Sequence, residues 1–520
     1  MKPLSILNDV LGPVMRGPSS SHTAGSFHIG RLARHLFGRQ PEHVLVRFDP
    51  GGSYARVYRD QGSDLGFVAG LLGWEMTDER FPQALQAAKG HGVAVEFVVE
   101  PVPEADHPNS VELELRAPGQ DALRLRARSI GGGAVEIVRL QDWPLAVRGD
   151  AFEQIVEAES WAGAEVAYRL KQEPALGALE VQEKGERVLF RLRRPEPLSE
   201  VRCAAWRALP GVRALWTAPP LGWVVRGRPI FGDAHGMLAY AREHGASLGE
   251  AAAAYEAALL GVSESEVTAE ILRRLGIMRA AVEKGLQDGL TLQLLSPTAG
   301  KILRAERSGQ LAIGGLHARA AARAMAVMHV SSAMGVICAA PTAGSAGVIP
   351  GVLVTMIEER GLALERAARA LLAAGAVGWV VGTRATFAAE EAGCQVEIGA
   401  SGAMAAAAVV DAAGGTAAQA LDAAAISLQN TMGSVCDPVQ GVVEIPCHTR
   451  NAVAAAAALI CADLVLGGYE NPVPLDETVD AVDAVGRMLP SELRCTALGG
   501  LALAPSALRL PRRRLGYGEA

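Results

Sequence analysis

Hydrophobic and polar positions change texture twice along the chain. Up to residue 148, runs such as "HVLVRFD", "VAVEFVVE", "SVELEL" and "ALRLRARSI" show the two-residue alternation of half-buried strands. They are interleaved with helical stretches such as "IGRLARHLFG" and with Gly-rich turns such as "GGG" at 131–133. This predicts an N-terminal α/β domain over 1–148. Over 149–227 the pattern predicts helix, strand ("ALEVQ"), strand ("RVLFRLRR"), helix ("LSEVRCAAWRAL") and strand ("VRALWTAPP"). That order fits a small two-layer α/β sandwich of the small-molecule-sensing type, and equally a spacer. Over 228–510 the apolar positions take the helical period, in segments dominated by Ala from Leu364 to Gly468. Alanine is the best helix former and lets helices approach closely, so an all-α domain follows. The charged end, 511–520, reads as a solvated tail. The fold class is therefore α+β multidomain.

Composition narrows the function. Half of the 520 residues are hydrophobic, a fifth are charged and the net charge is −7. That argues against a disordered chain and gives no footprint for nucleic acid, so a small-molecule partner is expected. The first residues, "MKPLSILNDVLGPVM", do not read as a signal peptide: the apolar run is broken by Asn8 and Asp9 and no small-residue cleavage site follows. The Ala-rich stretch "AVAAAAALICADLVLGG", interrupted by Asp463, reads as a core helix rather than a membrane span. Seven cysteines without an export signal point to a reducing compartment, the cytoplasm, and to thiols that bind metal or do chemistry.

Four clusters carry candidate chemistry. In "GPSSSHTAG", Gly17 to Gly25, the residues Ser20, Ser21, His22 and Thr23 stand just before a helix and offer hydroxyls and free N–H groups to an anion; an elaborate helix cap is the alternative. "DHPNS" sets His107 and Asn109 in a turn between strands. "CAAPTAGSAGVIPGVL" gathers Thr342 and Ser345 among small residues at a helix start, which helix packing alone would also explain. Cys394, Cys436 and Cys447 each lie beside Gly or Pro in breaks of the helical pattern, whereas Cys461 sits inside an Ala-rich helix. The three either converge on one point or are unrelated buried cysteines. If they converge, zinc would need a fourth ligand such as His448, Cys338 or Cys495, while three thiolates on a [4Fe-4S] cluster leave one iron open.

Taken together, "LGPVMRGPSSSHTAG", "LFGRQP", "DHPNS" and "SIGGG" resemble the β part of iron–sulfur-dependent bacterial L-serine dehydratases. "MGVICAAPTAGSAGVIPGVL", "AGCQVEIGASGAMAAA", "CDPVQGVVEIPCHTRNAVAA" and "LRCTALGGLA" resemble the α part. The resemblance covers nearly the whole chain outside 149–227, where family members can carry an ACT-like domain. It implies a cytoplasmic lyase, a homodimer, whose Cys394, Cys436 and Cys447 hold a [4Fe-4S] cluster. The open iron would take the β-hydroxyl of serine while a base removes the α-proton, giving aminoacrylate and then pyruvate and ammonia. By the same resemblance Ser20, Ser21, Thr23, Asp64, Asn109, Thr342, Ser345, Ser401 and Gly402 contact the amino acid substrate, and His22, His107 and Lys301 are candidate catalytic groups. No nucleic acid or membrane partner is implied.

Two departures from the family pattern matter. Where relatives read "GHGTD", this chain reads "DQGSD", so Gln61 replaces a His and the Asp survives as Asp64. A Gln amide cannot exchange a proton near neutral pH. This leaves room for another β-substituted amino acid as substrate (threonine, cysteine or a larger hydroxy amino acid), or for a non-catalytic, cluster-holding sensor. Some relatives also end in a Cys that caps the open iron; here the last residue is Ala520, and Cys495 is the candidate for that place.

Overall fold

The computed structural model describes residues 3–172 and 179–513. It divides into two compact units, one of Gly25–Arg226 and one of Met1–Ala24 with Gly227–Glu519.

The first unit holds two sheets. The six-stranded sheet runs in the order Ala94–Val99, His43–Phe48, Ser110–Ala117, Gln120–Gly131, Ala134–Leu140, Trp143–Val147, and only its first pair is parallel. Alternation places Val44, Val46 and Phe48 in the core opposite Leu115, Leu113 and Val111. The helices Gly25–Phe37 and Ser63–Leu71 pack on each other so closely that a Cβ on Gly70 would lie 2.3 Å from the Phe27 carbonyl oxygen. Glycine is needed there because backbone meets backbone. Gly70→Ala is expected to destabilise this unit by at least the roughly 1–3 kcal/mol of an overpacked core, read as a lower unfolding temperature.

The second sheet runs Val212–Ala218, Phe152–Glu159, Arg187–Arg194, Leu179–Lys184, all antiparallel. With helices Gly163–Lys171 and Glu200–Arg207 the chain order is βαββαβ, a two-layer split βαβ arrangement. Its core joins Val156, Phe190 and Leu192 from the strands to Val166, Leu170 and Trp206 from the helices. The helix predicted at the start of this region is Gly163–Lys171, and before it stands a central strand, Phe152–Glu159, that the sequence pattern did not mark. Its acidic positions are satisfied by ion pairs, Glu153 with Arg191 at 2.7 Å and Glu157 with Arg187 at 2.8 Å. The predicted strand "ALEVQ" begins within residues 173–178, which lie outside the described part.

The second unit is helical and includes the first 24 residues, which the sequence pattern assigns to the N-terminal α/β domain. Val14–Arg16 pairs antiparallel with Val336–Cys338. The preceding turn, Ile6–Val10, is held at both ends by side chains of distant helices. Buried Glu256 accepts from the N–H groups of Ile6 (2.8 Å) and Leu7 (3.0 Å), and Arg274 donates to the carbonyls of Leu11 (3.0 Å) and Gly12 (2.9 Å). At the centre lies Ile398–Ala413, buried from Ile398 to Ala412 and packed by Val348–Arg360, Leu364–Arg384, Ala417–Thr431 and Cys447–Leu466. Such a position demands an Ala- and Gly-rich helix, since its neighbours can close on it only if its side chains are small.

Cys394–Ala413 and Cys447–Leu466 are each long and apolar enough to cross a bilayer; the most apolar window of the first is 89% buried in the protein, and the second buries Cys447, His448 and Asn451 at its start. The predicted solvated tail begins as an anchored segment: Arg512 donates to Gln293 Oε1 (2.7 Å) and Arg513 to the Leu295 carbonyl (3.0 Å). Its residues 514–520 lie outside the described part.

Candidate active site

The helical unit brings the three predicted thiols together. Cys394 opens a tight turn before Ile398–Ala413, Cys436 lies in the link after Ala417–Thr431, and Cys447 begins the helix Cys447–Leu466. The positive end of that helix's dipole, where Cys447 stands, would favour a thiolate there if a metal took the place of its proton. The Cys436 thiol hydrogen-bonds those of Cys394 and Cys495, and Cys447 interacts with Cys394, Cys495 and Glu397. One oxygen of Glu397 and the sulfurs of Cys394 and Cys436 all lie within 4.8 Å of one another. Cys495 is held by its own N–H, which donates to the Cys436 carbonyl (2.8 Å), and the Cys436 N–H donates in turn to the Leu493 carbonyl (2.9 Å). Contact with neighbouring thiols raises Cys436 and burial raises Cys447, so these are neutral thiols at pH 7, whose protons a metal would have to displace.

Glu397, which the sequence pattern did not single out, joins the thiols. It stands three residues after Cys394, immediately before Ile398–Ala413, and the Thr342 hydroxyl donates to it. Burial pushes its carboxyl up to about 7, against the pull of Thr342 and with a further push from Glu390. Gly344 makes room for it, since a Cβ there would lie 2.7 Å from Glu397 Oε1. Around it, the Thr342 and Ser345 hydroxyls meet at 3.1 Å and Ser401 donates to the Ser345 carbonyl (3.2 Å). Asn451 ties this loop to the thiols, donating to the carbonyls of Gly344 (2.8 Å) and Cys447 (2.9 Å). Gly402 lies in the helix packing, facing Ser427 and Ala454.

The other predicted groups are spread over both units. Ser20, Ser21, His22 and Thr23 are buried in a single π-helical turn of the helical unit. Burial lowers His22 to about 4, so its ring is neutral at pH 7; its Nδ1 lies 3.3 Å from Ser19 Oγ. Lys301 is exposed on the first turn of Ala299–Arg307. In the other unit, Asp64 is buried and pushed up to about 6 by desolvation. His107 and Asn109 form the predicted turn, in which the Ser110 N–H donates to the His107 carbonyl (3.0 Å) and the Asn109 N–H to His107 Nδ1 (3.0 Å). Among the described residues the buried Asn109 side-chain oxygen has no hydrogen-bond partner. Gln61 follows Ser53–Val57 and donates its N–H to the Val57 carbonyl (2.9 Å).

Two of the possible fourth zinc ligands are engaged elsewhere. His448 Nε2 is 3.0 Å from the Ser332 hydroxyl, and the Cys338 thiol donates to the Leu11 carbonyl (3.2 Å). The buried thiols are soft ligands of the kind that hold iron–sulfur clusters as well as zinc, so the residues present fit a metal cofactor.

The family model described as serine dehydratase alpha chain matches residues 238–502. The chain belongs to this family. It is 43% identical over 256 residues to the probable L-serine dehydratase alpha chain of Bacillus subtilis, covering 49% of this chain and 85% of that protein. The L-serine dehydratase alpha chain of Peptoniphilus asaccharolyticus is 39% identical over 259 residues, 49% of this chain and 89% of its own length. The probable L-serine dehydratase beta chain of Bacillus subtilis is 44% identical over 142 residues, 27% of this chain and 63% of its own. Similarity to both kinds of chain accords with a serine dehydratase whose β and α parts are fused. Cys394, Cys436, Cys447 and Glu397 all lie inside the stretch that the serine dehydratase alpha chain matches.

Proposed function

We infer that the protein is a lyase that dehydrates and deaminates L-serine to pyruvate and ammonia. The carrying observation is the meeting of Cys394 and Cys436 with Glu397, with Cys447 in electrostatic reach of Cys394 and Glu397, in a chain of this family. Its relatives are named for L-serine, and nothing in them supports the other amino acids that Gln61 leaves open. The three cysteines are the proposed holders of a [4Fe-4S] cluster, which when bound supplies a Lewis acid for the leaving hydroxyl.

The chain's own groups do the rest. The α-proton of an amino acid is weakly acidic, so a base must stand ready and the developing charge must be stabilised. We assign that role to Glu397, whose carboxyl lies beside the thiols, accepts from the Thr342 hydroxyl and is raised toward neutrality by burial. His22, lowered to about 4, is a poor base at pH 7 and suits a hydrogen-bonding role. Loss of the proton and of hydroxide gives aminoacrylate, which tautomerises and takes up water to release pyruvate and ammonia.

A second copy of the chain is the proposed partner, with the exposed row Val453, Ile460 and Leu464 along Cys447–Leu466 as its contact surface. The proposed setting is the cytoplasm, which keeps free cysteines reduced. The deciding experiment assays anaerobically reconstituted protein with serine, threonine, cysteine and larger hydroxy amino acids for 2-oxo acid and ammonia. Turnover of serine above the others is expected, from protein holding about four iron and four sulfide per chain. Stoichiometric zinc, or no turnover of serine, would sink the reading.

A further inference from the structure

We infer that Arg450 is the positioning residue of the thiol centre, a single guanidinium that fixes the three ligand-bearing segments to one another and supplies the cation facing them. It stands three residues after Cys447, on the first turn of the same helix. One of its terminal nitrogens donates to Cys394 Sγ at 3.5 Å and to the carbonyl of Val435, the residue before Cys436, at 2.8 Å. The other pairs with Asp437, the residue after Cys436, at 2.9 Å. Asp437 is itself buried and anchored, since its second oxygen accepts from the Leu501 N–H at 2.7 Å. Cys394, Cys436 and Cys447 come from segments with no local spacing to hold them in register, and one planar fork touches or carries all three.

Charge gives the fork a second role. A centre of thiolates gathers negative charge in a mostly buried site, and a cation with an N–H aimed at one sulfur stabilises that charge. Hydrogen bonds to sulfur and local charge are among the factors that set an iron–sulfur potential. Lysine keeps the charge but, with a compact head, cannot reach a sulfur, a carbonyl and a carboxylate together.

The inference rests on reading the three cysteines as a metal centre, and the experiment separates the two. The full chain, parent and variants Arg450→Gln and Arg450→Lys, is stripped of metal and titrated anaerobically with cobalt(II), following the thiolate-to-metal absorption; the reconstituted proteins are then compared for midpoint potential. Arg450→Gln is expected to weaken cobalt binding by about 10–100-fold, the cost of losing a group that orients metal ligands, and to move the potential to a more negative value. Arg450→Lys is expected to weaken binding several-fold while its potential stays near that of the parent. Parent-like cobalt affinity in a folded Arg450→Gln would overturn the assignment, and if that variant does not fold, parent-like affinity in Arg450→Lys would do the same. A parent chain that gives no thiolate band with cobalt fails the metal reading itself.

Discussion

Cys436→Ser is expected to lose metal and dehydratase activity together, while keeping the fold. Cys436 is the thiol most connected to the others, in contact with Cys394 and with Cys495. A hydroxyl of similar size leaves the backbone links to Leu493 and Cys495 intact, so little of the change falls on the fold. It replaces a soft ligand with a hard one that stays protonated at neutral pH, which is what iron and cobalt bind least. The measurement is iron and sulfide content, with the cobalt band as a second readout, beside unfolding curves that should overlay those of the parent. The control is Cys338→Ser. That thiol donates to the Leu11 carbonyl and burial raises it to about 11, so it should be dispensable for the metal. Iron retained in Cys436→Ser, or lost equally in Cys338→Ser, would remove Cys436 from the centre.

The parts of the fold that were legible in the sequence are those where one physical signal dominated. Gly and Pro broke the helical pattern around Cys394, Cys436 and Cys447, and those breaks are where the thiols turn toward one another. The strand Phe152–Glu159 was illegible for a definite reason: with Glu153 and Glu157 buried by Arg191 and Arg187, its polar residues no longer mark a solvent face and the two-residue alternation disappears. The same blindness to partners made "PRRRL" read as solvated, although Arg512 and Arg513 bind Gln293 and Leu295. Glu397 and Arg450 carried no signal of their own. A carboxylate three residues after one cysteine and an arginine three residues after another look like ordinary surface charges until the chain folds them against the same sulfurs.

Glu397→Gln is expected to keep the metal and lose activity by about 100- to 10,000-fold, the usual range for removing a general base. Gln retains the shape and an acceptor for the Thr342 hydroxyl, so the loop Thr342–Ser345 and the thiols should stay in place. What it removes is the group that takes the proton. Burial holds Glu397 above the usual carboxylate range and the base must be ionised to act, so kcat/KM should rise as pH increases through the titration of this group. Glu397→Gln should show the residual rate without that rise. The metal-free protein offers an independent reading. A carboxyl raised from 4.5 to about 7 on folding contributes stability that is present in full below 4.5 and is lost as pH rises through 7. The parent should therefore lose stability relative to Glu397→Gln between about pH 5 and pH 8, as seen in paired unfolding curves. If activity falls less than tenfold while the stability difference appears, the Glu397 carboxyl is held as described and the base lies elsewhere.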